Sequence, residues 1–188
     1  MTKTATANLA SFNATLLRPK VAKGEAPTDW LFLLLPDDVS QALPSRGLVT
    51  VDGTINKTPL QATLKPDGKG GHWLRVEPDL LKRVKLTAGD TATLAIQPVA
   101  EEPEPPVPGD LRDALAASPE ASAMWSDITP IARRDWIFWM TSGKRAATRD
   151  TRRATMLDML AKGKRRACCF DRSGLYSNSL TRPQAEDE

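Results

Sequence analysis

The clearest order in the chain is a period of two. Val49, Val51, Gly53 and Ile55 alternate with Thr50, Asp52 and Thr54, as a strand with one buried face requires. Phe12, Ala14 and Leu16 alternate with Asn13 and Thr15 in the same way, and Leu60, Ala62 and Leu64 repeat the pattern. Residues 30–35 are apolar on both faces and predict a buried strand, stopped by Pro36-Asp37-Asp38. Two further strands are predicted behind turn-rich stretches. One covers 72–76 after Pro66-Asp67-Gly68-Lys69-Gly70-Gly71, and one covers 91–97 after Thr87-Ala88-Gly89-Asp90. A short helix over 78–84 would have Pro78 at its first position. Many short strands at regular spacing favour a barrel or sandwich over a parallel sheet.

The period then changes. Residues 98–108 hold five prolines and three glutamates. Proline fixes φ and removes a donor, so this stretch reads as an extended, stiff connector. Helix signals follow in order. Asp110 is a candidate cap, with Leu111, Ala114 and Leu115 on one face. Ser118-Pro119-Glu120 is a second start, and Ala121, Met124, Trp125 and Ile128 form its apolar face. Thr129-Pro130 starts a third helix, with Trp136, Trp139, Met140 and Gly143 on one side, and a fourth is expected over about 148–162, ending at Gly163. The fold class expected is α+β. The expected division is a small β-barrel over 10–98, a Pro/Glu-rich hinge over 99–109, a basic helical module over 110–166 and a tail over 167–188.

Charge sharpens the second half. The chain is net +3, but residues 133–166 hold eleven basic and three acidic side chains. No run approaches the ~20 apolar residues of a membrane span, and the first residues lack a charged-then-apolar leader pattern. A cytoplasmic protein is therefore expected. Cys168 and Cys169 are adjacent; a bond between neighbours is strained, so they read as reduced residues. No metal-ligand spacing and no cofactor motif is present, so no cofactor is expected.

Two family resemblances follow from ordered motifs. Pro36-Asp37-Asp38-Val39, Val51-Asp52-Gly53-Thr54-Ile55, Gly70-Gly71-His72-Trp73-Leu74 and the spaced Leu81, Leu86, Gly89-Asp90-Thr91 resemble the family DUF1905, a domain of unknown function. The resemblance covers roughly residues 10–98 and implies a double-split β-barrel, AbrB-like in shape. It departs at Lys57, where the family's turn often has glycine. Barrels of the AbrB type often dimerise by exchanging hairpins, which leaves a homodimer open. The second set is Asp110-Leu111 with Ala114-Leu115 and Pro119-Glu120-Ala121, then Arg133-Arg134-Asp135-Trp136 with Trp139-Met140. Lys144-Arg145, Thr148-Arg149, Arg152-Arg153 and Met159-Leu160-Ala161-Lys162-Gly163-Lys164 complete it. These resemble the YdeI/OmpD-associated (OmdA, bacteriocin-protection) family over about 110–166. Ala147 stands where that family usually has an acidic residue. This resemblance implies a bacterial origin and a link to stress or antimicrobial-peptide tolerance, not a defined reaction.

Three groups are candidate sites. The basic block (Arg133, Arg134, Lys144, Arg145, Arg149, Arg152, Arg153, Lys164, Arg165 and Arg166) would suit an anionic partner or nucleic acid. Arg149, Arg152 and Arg153 share one helical arc that Met156 and Leu160 continue, so this row also reads as packed against a neighbouring helix, where Asp127 or Asp135 could meet it. His72 and Trp73 follow the Gly-rich turn and are the candidate ligand-binding pair at a barrel mouth. The alternative is two ordinary strand positions. Trp125, Trp136, Phe138 and Trp139 read as core. No nucleophile–base spacing surrounds His72. The chain therefore reads as a non-catalytic binding protein, with nucleic-acid binding and a small-ligand or enzyme site at the barrel mouth as alternatives.

Overall fold

The structure is a computed structural model that describes residues 10–143, 145–167 and 181–188. The chain forms two compact units, Met1–Ala100 with Leu180–Glu188, and Glu101–Ser179.

The first unit contains β1 (Ala10–Thr15), β2 (Leu31–Leu34), α1 (Asp37–Gln41), β3 (Val49–Ile55), β4 (Thr58–Pro66), β5 (His72–Val76), α2 (Pro78–Val84) and β6 (Thr91–Pro98). The sheet order is β1-β6-β3-β4-β5-β2, and every neighbouring pair is antiparallel. Beyond β1, Leu17 and Phe32 exchange backbone hydrogen bonds of 2.7 and 2.9 Å. The two ends of the order therefore meet, and the six strands make a nearly closed antiparallel barrel. The alternating residues supply its interior: Val51, Ile55, Leu64, Leu74, Val76 and Leu94 are all essentially inaccessible. Burying each such side chain is worth about 1.5–3 kcal/mol, which is the main force closing the sheet.

Two local features position the barrel's loops. Asn56 and Lys57 join β3 to β4 in a two-residue turn with φ of 45° and 66°. The expected glycine is absent, yet the turn forms with both residues left-handed, as a type I′ hairpin needs. Asn56 secures it, since its Oδ1 accepts from Thr93 N at 2.9 Å and its own N donates to Thr93 O at 2.8 Å. The segment Pro36-Asp37-Asp38 does more than stop β2. It starts the one-and-a-half-turn helix α1, which buries Val39 and Ser40.

The second unit contains α3 (Gly109–Ala116), α4 (Pro119–Asp127), α5 (Pro130–Thr141) and α6 (Ala146–Ala161). Its core is Leu111, Leu115, Ala121, Trp125, Ile128, Trp136, Met140, Met156 and Leu160, with Trp139 packed at the edge. The tryptophans are core residues, and Trp136 and Trp139 meet edge to face at 5.9 Å. Thr129 caps α5, accepting from Ala132 N at 3.3 Å. Ser118 stands at the N-cap of α4 without a side-chain cap bond, and Asp110 lies inside α3 rather than before it. The proline-rich segment has no regular secondary structure over 102–108, and it is fastened to this unit. Glu102 and Glu104 pair with Arg134 and Arg133 at 2.8 and 2.7 Å, and Val107 packs on the helical core. No helix among the described residues is long and apolar enough to cross a membrane.

Candidate functional site

Part of the basic block holds helix ends. A helix leaves its last carbonyls without intrahelical donors and carries partial negative charge there. Arg133 answers this at α4, donating from Nε to Trp125 O and from Nη2 to Ser126 O, each at 2.9 Å. Arg165 reaches the same helix end, pairing with the Asp127 carboxylate and donating to Asp127 O at 2.9 Å. Arg152 does the same for α5. It is only 8% exposed, and its Nη1 donates to Trp139 O and Ser142 Oγ, each at 2.8 Å. Its guanidinium also lies 5.5 Å from the Trp139 ring centroid. Arg149 donates to Gly143 O at 2.9 Å, in the connection between α5 and α6. Arg153 ties α6 to α3 through Asp110 and also pairs with Asp150 at 3.0 Å.

Arg134 is shared by two carboxylates, Glu102 at 2.8 Å and Asp135 at 3.0 Å. Burial pushes the Asp135 carboxyl above its ordinary range. Glu102 adds to the rise, while Arg134 and then Arg166 oppose it. The direction follows from one guanidinium serving two acids in a half-dry setting. A carboxyl whose folded-state pKa is raised favours proton uptake by the folded form. Its contribution to stability therefore grows as pH falls through that folded-state pKa. Comparing Asp135→Asn with the unchanged chain by thermal unfolding, from about pH 7 to about pH 4, should show the difference moving in favour of the unchanged chain as pH falls. Movement the other way would mean that Arg134 dominates.

Of the candidate cations, Arg145 and Arg166 are exposed, as is Lys164. Lys144 lies outside the described residues, as do Cys168 and Cys169. The row Arg149, Arg152 and Arg153 meets carbonyls, Asp110 and Asp150, while Asp127 and Asp135 are taken by Arg165 and Arg134. The capping role escaped the sequence reading because it joins a side chain on one element to the end of another, as with Arg133 and Trp125 or Arg152 and Trp139.

His72 and Trp73 are neighbours on β5 and point to opposite faces. His72 is 2% exposed; its Nε2 lies 3.0 Å from Gly47 O and its backbone N donates to Ser40 Oγ at 3.1 Å. Its Nδ1 has no hydrogen-bond partner among the described residues. Next to Ser40 lies a polar cleft of about 890 Å³, walled by Asp37, Gln41, Ser45 and Arg46 on one side and by Asp67, Lys69 and Gly71 on the other. Asp67 builds its own wall, accepting from Lys69 N at 2.7 Å and Gly71 N at 2.9 Å. Trp73 faces elsewhere. Its Nε1 donates to Pro66 O at 3.2 Å, and its ring meets Phe32 edge to face at 6.1 Å. Lys65 sits over that ring at 5.1 Å, and burial, then the nearby Arg75, lower its pKa against the opposing pull of Glu77. The structure thus separates the candidate pair: His72 is buried against Ser40 and Gly47 and is not among the residues that line the cleft, and Trp73 lies in an aromatic patch. Strand alternation alone could have separated them.

The comparisons with known proteins agree with this two-part layout. No curated protein matches the chain. Two family models do, one on each unit. Residues 12–96 match the Domain of unknown function DUF1905 and cover the barrel. Residues 104–163 match OmdA, described as Bacteriocin-protection, YdeI or OmpD-Associated, and cover the docked arm and all four helices. The chain therefore carries a match to DUF1905 followed by a match to OmdA, YdeI or OmpD-Associated, in that order.

Proposed function

We propose that the protein is a non-catalytic binding protein linked to bacterial stress tolerance, specifically to protection from bacteriocins and other antimicrobial peptides. The carrying observation is the extent of the OmdA match, which runs from the docked arm through α6. A binding role also accords with how this unit spends its polar side chains. Arg133, Arg149, Arg152 and Arg165 fix helix ends to one another, which makes a rigid scaffold with preset surfaces, and rigid surfaces lose less on binding. The test is an incubation of the full chain with a bacteriocin to which the host is exposed, followed by intact-mass analysis of the peptide. The expected result is an unaltered peptide mass. A cleaved or modified peptide would replace this reading with an enzymatic one.

The polar cleft lined by Ser40 favours a second reading, a small-ligand site on the barrel. Arg46 and Lys69 on its two walls suit an anionic group on such a ligand. A ligand that raises the unfolding midpoint of the unchanged chain but not of Arg46→Ala would support it.

A further inference from the structure

The segment 181–188 returns to the barrel and joins it through one isolated β-bridge, followed by a turn. Pro19 and Ala185 form an antiparallel bridge. Lys20 N donates to Gln184 O, and Glu186 N donates to Arg18 O, both at 2.9 Å. Ala185 is 4% exposed and packs with Phe32 and Trp73, with Leu17, Trp30 and Leu34 around them. Charge follows the same register. Glu186 lies 3.8 Å from Arg18, and Glu188 lies in the field of Lys69. Within the segment, Arg182 binds Glu188 through both terminal nitrogens, at 3.0 and 2.8 Å.

This is the geometry of strand addition: main-chain hydrogen bonds hold the peptide, and a pocket accepts one side chain. The occupant fits it modestly. Its one buried side chain is a methyl group set among two large aromatic rings, and its ion pairs are solvent-exposed and correspondingly weak. Such a segment stays in place chiefly because it is tethered, which gives it a high effective concentration. We propose that this face of the barrel is a peptide-docking surface for a partner protein, and that the chain's own segment 181–188 holds the place until the partner arrives. The partner's contribution is an extended segment with a small apolar residue followed by a carboxylate, read by the Phe32–Trp73 pocket and by Arg18. This inference is independent of the bacteriocin reading.

The probe is a fluorescent synthetic peptide with the sequence of residues 181–188, titrated by anisotropy into the full chain. Ala185→Arg cannot enter the aromatic pocket and should eject the resident segment. The expected result is peptide binding at least tenfold tighter to this variant than to the unchanged chain. No binding to the folded variant, or equal binding to both, would overturn the proposal. Should Ala185→Arg fail to fold, a disulfide lock decides. Pro19 and Ala185 occupy a non-hydrogen-bonded pair, whose Cα atoms stand about 4.5 Å apart, within disulfide range. In a chain with Cys168→Ser and Cys169→Ser, the Pro19→Cys/Ala185→Cys pair should exclude the peptide when oxidised and admit it when reduced. Equal binding in both states would overturn the proposal. So would a dimer of the unchanged chain that the lock abolishes, since that would assign the surface to a second copy.

Discussion

Replacing Arg152 by methionine is expected to destabilise the helical unit by about 2–3 kcal/mol and to lower its unfolding midpoint by roughly 10–20 °C. Methionine keeps much of the apolar stem but none of the donors. Trp139 O would lose its strongest partner and keep only Ser142 Oγ, which donates to it at 3.0 Å. Ser142 Oγ would lose its contact with Arg152, and the Trp139 ring would lose the guanidinium beside it. The comparison that gives this weight is Arg153→Met. That side chain has two acid partners, but both are solvent-exposed, so its loss should cost less than about 1 kcal/mol. Thermal or urea unfolding of the two variants separates the cases. Equal losses would show that the block stabilises by general charge rather than by Arg152 holding the α5 end.

Gly53→Ala is expected to cost the barrel about 3 kcal/mol or more, read by the same unfolding measurements. Gly53 sits in β3 opposite Ile96 of β6. A Cβ there would stand 1.9 Å from Ala95 O and 2.9 Å from both Ala95 C and Ile96 Cα. These are backbone atoms of a central strand, so no rotamer change relieves the overlap and β6 must shift. The shift would disturb two strand pairs, because β6 also pairs with β1. Gly109→Ala provides the contrast: nothing lies within 4 Å of the added Cβ, and alanine favours a helix, so this change should be neutral or slightly stabilising.

Much of this architecture was legible along the chain because its causes are local. Alternation marks β3 whatever it pairs with, and Pro78 marks the start of α2. The run of Thr129-Pro130 predicted a helix start, and α5 begins there, with Thr129 as its cap. What escaped has causes distant in sequence. Helix α1 is five residues of mostly polar chain, too short for periodicity to register. Barrel closure depends on Leu17 meeting Phe32, a pairing that no local pattern announces. The docking of 181–188 rests on one alanine and on backbone bonds to Arg18 and Lys20.

The candidate site was legible in composition but not in role. The excess of arginine was plain, and its reading as a partly inward-facing row pointed the right way for Arg152. Sequence spacing could not say that the acceptors are helix-end carbonyls, since a stripe on a wheel looks alike whether it meets solvent or a neighbouring helix. For His72 and Trp73, adjacency suggested a shared site, whereas the pleat of β5 sends one toward Gly47 and the other toward Phe32.

The proposed role is protection of the host from bacteriocins. Survival under bacteriocin challenge tests it most directly, in a host lacking the protein, in that host supplied with the full chain, and in that host supplied with Arg152→Met. Lower survival without the protein, recovery with the full chain, and poor recovery with the destabilised variant are expected. Equal survival in all three would contradict it.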